Sequence, residues 1–133
     1  MLWLVVCSVN ATAQQSSELE GWAIDTATLD HFQRQYGDAA AQRILSWQYL
    51  LGHLQGKPEE VVLDEVNRFF NQVRFLGDAD HWNQVDYWAT PLELLATNGG
   101  DCEDFAIAKY FSLKWLGVPV GKMRLTYVKA VEL

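Results

Sequence analysis

The sequence predicts a mostly helical α+β domain with one strand near its C-terminal end, and three observations carry that reading. Apolar residues recur at helical spacing over residues 28–55, 59–73 and 102–116. Strict alternation appears over Met123 to Ala130, where Met123, Leu125, Tyr127 and Lys129 interleave with Arg124, Thr126, Val128 and Ala130. The 133 residues suffice for one domain and not two, and a half-hydrophobic composition with six Trp excludes a disordered chain.

Residues 1–13, MLWLVVCSVNATA, hold no charged side chain and open on an apolar run. Ala11-Thr12-Ala13 has the small-x-small form of a cleavage site, and Gln14-Gln15-Ser16-Ser17 follows. With no Lys or Arg ahead of its apolar stretch, this segment reads as a signal peptide clipped at its front, leaving residues 14–133 as the domain. A hydrophobic N-terminal strand is the alternative. Thirteen residues cannot cross a bilayer, and no later run approaches the roughly 20 apolar residues required, so the chain is not expected to span a membrane. Removing the leader takes Cys7 with it and leaves Cys102 without a partner for a disulfide.

The helical region 28–55 divides near Gly37, and its second part carries Ile44, Leu45, Trp47, Leu50 and Leu51 before Gly52 to Gly56 ends it. Lys57-Pro58-Glu59-Glu60 opens the next helix, with Pro in the first turn and acids at the favourable end of the dipole. Val62, Val66, Phe69, Phe70 and Val73 form its buried stripe. Residues 77–88, GDADHWNQVDYW, read as an irregular loop. Asp78-Ala79-Asp80 resembles the start of an EF-hand, but Asn83 stands where Gly is needed and Ala89 where Glu is needed. Thr90-Pro91 caps a short helix through Leu95, and Asn98-Gly99-Gly100 ends it. A last helix runs from about Cys102 to Leu116, with Phe105, Ala106, Ala108, Phe111, Leu113 and Leu116 available for burial and Gly117 at its end. One strand cannot satisfy its own backbone groups, so the alternation at the end belongs to an incomplete sheet.

Seventeen acids against ten bases give a net charge of -7, which argues against a nucleic-acid partner. The charge is concentrated: residues 78–104 hold seven acids and no Lys or Arg. Cys102 sits inside this run, after Gly99-Gly100-Asp101, in the first turn of a helix. Unpaired backbone N–H groups there favour a thiolate, the nucleophile of covalent catalysis, and a glycine turn before it gives a substrate backbone room. The carboxylates of Asp101, Glu103 and Asp104 oppose the thiolate. A bound cation would remove the conflict, and an all-oxygen set suits calcium better than zinc. Two plainer readings stay open: a buried inert Cys102, and Asp101 as an N-cap with Glu103 and Asp104 complementing the dipole.

The run Asp86-Tyr87-Trp88-Ala89-Thr90-Pro91-Leu92-Glu93, with Asn98-Gly99-Gly100-Asp101-Cys102-Glu103-Asp104-Phe105-Ala106-Ile107-Ala108-Lys109-Tyr110, closely resembles bacterial transglutaminase-like cysteine proteases of the periplasmic LapG type. Leu116-Gly117-Val118-Pro119 and residues 124–130 continue the likeness, which covers about residues 78–133. The resemblance implies a papain-like, transglutaminase-like fold, truncated here, in which the nucleophile helix packs on an antiparallel sheet. It maps the nucleophile onto Cys102 and the calcium-binding carboxylates onto Asp101, Glu103 and Asp104. It further implies a periplasmic endopeptidase that cleaves the N-terminal region of a large biofilm adhesin, under control of an inner-membrane cyclic di-GMP receptor. The family's His and Asp follow the nucleophile, whereas His31, His53 and His81 all precede Cys102. The chain by itself is therefore expected to be inactive, as an N-terminal part of the protease domain. Two other functions remain: a non-catalytic calcium-binding domain using Trp82, Tyr87 and Trp88 as interface anchors, and a transglutaminase.

Overall fold

The computed structural model describes residues 23–126 and 128. The expected leader with Cys7, and positions 127, 129 and 130 of the expected strand, lie outside the described residues.

Helix α1 (Thr26–Tyr36) starts where the Asp25 carboxylate accepts the Thr28 N–H at 2.9 Å and the Thr28 hydroxyl at 2.7 Å. That bond satisfies one of the first-turn donors that no helix carbonyl can reach. Gly37, at φ +89°, breaks the chain in a region that favours glycine, and α2 (Asp38–Leu54) begins immediately after it. Helix α2 buries Ala40, Ile44, Trp47, Leu51 and Leu54 at i, i+4, i+7 spacing. Ile44, Trp47 and Leu51 of the expected stripe lie on this face, whereas Leu50 is half-buried and Leu45 is exposed. Helix α3 (Glu59–Phe70) follows Pro58, which stands one residue ahead of the first turn, and buries Val62, Val66 and Phe70.

The remaining elements are short except the last. They are β1 (Arg74–Phe75), α4 (Asp78–His81), α5 (Pro91–Thr97), β2 (Gly99–Gly100), α6 (Cys102–Trp115) and a 3₁₀ turn at Val120–Lys122. Helix α1 packs on α2, α2 on α5, α5 on α6, and α3 closes the other side of α6. Trp47 is the hub of this arrangement. Its ring lies 6.3 Å from that of Phe70 and 5.2 Å from that of Trp115, and its indole N–H donates to the Ser112 hydroxyl at 2.9 Å. Arg43 of α2 donates to the Leu95 and Ala96 carbonyls, the second at 2.8 Å, and so ties α2 to the end of α5.

The mostly helical α+β expectation holds, but the strand arrangement differs. Among the described residues the ladder is β1 with β2, and it is parallel, pairing Arg74 with Gly99 and Phe75 with Gly100. The sequence reading missed it because two residues carry no alternation. Residues 123–126 and 128 are not assigned as strand, although Met123 is extended. Alternation marks which faces a strand would bury; a ladder also needs a neighbour, and none lies beside these residues among those described.

Helix α6 differs in its buried face. Asp104, Ala108 and Ser112 are fully buried along an i, i+4, i+8 line, while Ala106 and Phe111 are exposed. Two polar residues occupy the inner line because both are hydrogen-bonded: Ser112 accepts from Trp47 and donates to the Ala108 carbonyl at 2.7 Å.

Two outcomes follow from this packing. Ser112→Ala leaves the buried Trp47 N–H unpaired and lowers stability by about 1–3 kcal/mol, read as a lower urea midpoint at unchanged slope. Burial alone would lift the Glu93 carboxyl, but hydrogen bonds from Thr90 and Tyr87 outweigh it and hold the group below its ordinary 4.5. Its contribution is therefore complete above the ordinary value and lost as pH falls through the folded one. The stability advantage of wild type over Glu93→Gln shrinks between about pH 7 and about pH 3, and an advantage independent of pH in urea titrations would count against this assignment.

Candidate active site

Local sequence builds the site from α5 onward. Thr90 and Glu93 form a capping box: the Glu93 N–H donates to Thr90 Oγ1 at 3.3 Å, and the Thr90 N–H donates to Glu93 Oε2 at 2.7 Å. Pro91 occupies the first turn, and Asn98, at φ +53°, ends the helix in the left-handed region. Gly99 and Gly100 follow as buried strand residues with no positive φ. A Cβ on Gly100 would lie 2.6 Å from Leu94 Cδ1 and 2.7 Å from Asp104 Oδ2, and one on Gly99 would collide with the Leu76 side chain. The glycines thus admit the interior of the protein, not a substrate backbone, which corrects the expectation of a glycine turn opening the way to Cys102.

Cys102 is the first residue of α6, exposed and free. Asp101 stands at the N-cap, and the Asp104 carboxylate two residues beyond Cys102 is fully buried. Asp104 Oδ1 accepts the Ala89 N–H at 2.7 Å, and Oδ2 accepts the Asp101 N–H at 3.2 Å. Burial pushes the Asp104 carboxyl above its ordinary value despite these bonds. Asp101 is pushed up to about 7, by burial first, then by a hydrogen bond with Glu103 and the charges of Glu103, Asp78 and Asp104.

The fold adds acids that the sequence reading left out. Asp78, at the start of α4, is buried, and its carboxylate accepts the Tyr87 N–H at 2.6 Å through one oxygen. Ligand atoms of Asp78, Asp101 and Asp104 lie within 4.8 Å of one another, as do those of Asp78, Asp86 and Glu103. So Asp101, Glu103 and Asp104 all reach one acidic centre, in two overlapping groups that share Asp78. The other oxygen of Asp78 and one oxygen of Asp101 are buried with no hydrogen-bond partner. Buried carboxylate oxygens without partners are costly, and a hard cation with oxygen ligands is the group that fits them. The seven-acid run contained Asp78 and Asp86, but the failed EF-hand spacing gave no reason to select them.

Beside Cys102 lies a groove of about 200 Å³, lined by Trp88, Cys102, Glu103, Ala106, Ile107 and Leu125 among others. A larger hollow of about 540 Å³ lies between α3 and α6 around Asn67, Lys109 and Leu113, and no cysteine lines it. Of the three aromatic anchors suggested by the sequence, Trp82 and Tyr87 pack on each other with ring centroids 4.5 Å apart and planes tilted by 39°, and both are half-buried. Trp88 is 55% exposed at the groove. None of the three histidines bonds to Cys102: His81 shares a 2.9 Å hydrogen bond with Thr97 Oγ1, while His31 and His53 are exposed on α1 and α2. No helix among the described residues is long and apolar enough to cross a membrane.

Comparison with known proteins places these features. No curated protein matches the chain. Among solved structures, calcium-bound LapG of Legionella pneumophila is 38% identical, with a TM-score of 0.59, over 74% of this chain and 54% of that one. LapG of the same organism without that label, and its EGTA-treated form, are each 37% identical with the same TM-score, over 74% of this chain and 53% of theirs. The chain therefore spans about half the length of the structures it matches, and it shares their transglutaminase-like fold. The family described as bacterial transglutaminase-like cysteine proteinase matches residues 52–132, from the end of α2 through α6 and Cys102. On that match, the chain belongs to the bacterial transglutaminase-like cysteine proteinases.

Proposed function

We propose that this chain supplies the nucleophile and the calcium-binding carboxylates of a periplasmic cysteine endopeptidase. Its substrate in this reading is the N-terminal region of a large biofilm adhesin, and a cyclic di-GMP receptor in the inner membrane controls it. The observation that carries the proposal is the position of Cys102. It is exposed on the first turn of α6, beside a groove and directly after Asp101, which groups with Asp78 and Asp104. One carboxylate oxygen each of Asp78 and Asp101 is buried without a hydrogen-bond partner. The calcium-bound form of the Legionella relative supports the choice of ion, and the uncharged, apolar opening of residues 1–13 supports export.

The roles follow from chemistry. The Cys102 thiolate attacks a peptide carbonyl, the amine product leaves with a proton, and water then hydrolyses the acyl-enzyme. The α6 N-terminus favours negative charge at the sulfur, whereas Asp101, Glu103 and Asp104 oppose it. When bound, calcium supplies the positive charge that offsets these carboxylates. Asp78, Asp101 and Asp104 would hold it, with Asp86 and Glu103 in reach. Proton transfer from the thiol needs a base, and none of this chain's histidines is placed to act on Cys102.

Calorimetric titration checks the metal. Calcium binds wild type, and Asp104→Ala or Asp78→Asn weakens binding at least tenfold, about 1.4 kcal/mol; equal heats in all three would remove these residues from the ligand set. A second outcome concerns the nucleophile. Iodoacetamide modifies Cys102 in the folded chain, yet the chain alone does not cleave an adhesin fragment. Cleavage that disappears in Cys102→Ala would show that a base is present after all.

A further inference from the structure

We propose that Asp86 is a positioning residue that couples the acidic centre to the groove beside Cys102 by holding the indole of Trp88. The inference rests on the calcium reading above. The Trp88 indole N–H donates to Asp86 Oδ1 at 3.0 Å, and Trp88 forms one wall of the groove that contains Cys102. The same Asp86 carboxylate lies within 4.8 Å of ligand atoms of Asp78 and Glu103. A carboxylate has two oxygens and about four acceptor directions, so it can hold the indole and face the acidic centre together. The acidic centre is not a surface accident: Asp78 is only 6% exposed, and one of its oxygens is buried without a partner.

The backbone around Trp88 is already tied to that centre. The Tyr87 N–H donates to Asp78 at 2.6 Å, and the Ala89 N–H donates to Asp104 at 2.7 Å. Trp88 lies between these two anchors, so its main chain is fixed from both sides by buried carboxylates. The preceding stretch is not packed in this way: Asn83 takes a left-handed φ of +52°, Val85 is fully exposed, and Asp86 is exposed. Packing therefore leaves the Asp86 side chain free to respond to charge. Without a cation, Asp78 and Glu103 repel it; with one, it is drawn to the centre and carries the indole with it. The shape of the groove then follows the occupancy of the cation site.

The experiment uses the full chain labelled with 5-fluorotryptophan, with the Trp88 resonance assigned through Trp88→Phe and calcium binding followed in parallel by calorimetry. In wild type, calcium shifts the Trp88 resonance. In Asp86→Ala the heats persist, because Asp78, Asp101 and Asp104 remain, but the shift is lost. The calcium-free Trp88 resonance moves in Asp86→Ala and stays at its wild-type position in Asp86→Asn, which keeps an acceptor for the indole; a merely structural effect of substitution would move both. Unchanged Trp47 and Trp115 resonances show that each variant is folded. A Trp88 shift as large in Asp86→Ala as in wild type overturns the coupling, as does a silent Trp88 in wild type that gives calcium heats. Absence of heats in wild type overturns the calcium reading itself, and this inference with it.

Discussion

The buried carboxylate of Asp104 is the constraint on which the site depends. A charged group at zero exposure is tolerated only when its lone pairs are met, and here two backbone N–H groups meet them. One belongs to Asp101 and sets the start of α6, hence the position of Cys102. The other belongs to Ala89 and pins the end of the loop that carries Tyr87 and Trp88. Gly100 must lack a side chain because the space is taken by Leu94 and by Asp104 itself. One side chain thus fixes a helix start, a loop and a strand residue together.

That arrangement also explains why the centre is electrically incomplete. Asp78, Asp101 and Asp104 converge in a region where burial raises the cost of charge, and Asp101 responds by moving toward neutrality near pH 7. The fold bears this repulsion because other contacts hold the frame. Trp47 packs on Phe70 and Trp115, Arg43 fastens α2 to α5, and the Thr90–Glu93 box fixes the start of α5. These contacts do not depend on the charges of Asp78 and Asp101, so the centre can carry a charge imbalance without unfolding the chain. Functional sites commonly break local rules in this way and are supported from elsewhere.

Local signals in the sequence were read well where one residue type has one cheap conformation. Gly37 divides α1 from α2, Thr90-Pro91 opens α5, and Val62, Val66 and Phe70 face inward. Each is decided within a few residues by backbone sterics or by helical period. The errors lie where distant residues decide. Of the apolar residues over 102–116, Ala108 is buried and Phe105, Leu113 and Leu116 pack on the core as the sequence suggests. Ala106 and Phe111 are exposed, and Asp104 and Ser112 are buried in their place, because their partners are Ala89 and Trp47. Gly99 and Gly100 were read as room for a substrate and turned out to be filled by Leu76, Leu94 and Asp104.

By itself the sequence determined the helical character of the chain, the place of Cys102 on the first turn of a helix, and a concentration of acids around it. These are properties of short windows, fixed by periodicity, capping and composition. The tertiary structure decided which acids meet. Asp78 and Asp86 precede Asp101 by many residues and enter the centre only because β1 pairs with β2 and brings α4 beside the start of α6. It likewise decided that Trp88 faces the groove while Trp82 and Tyr87 pack against each other. Convergence across the chain is set by packing and long-range hydrogen bonds, and no local pattern encodes it.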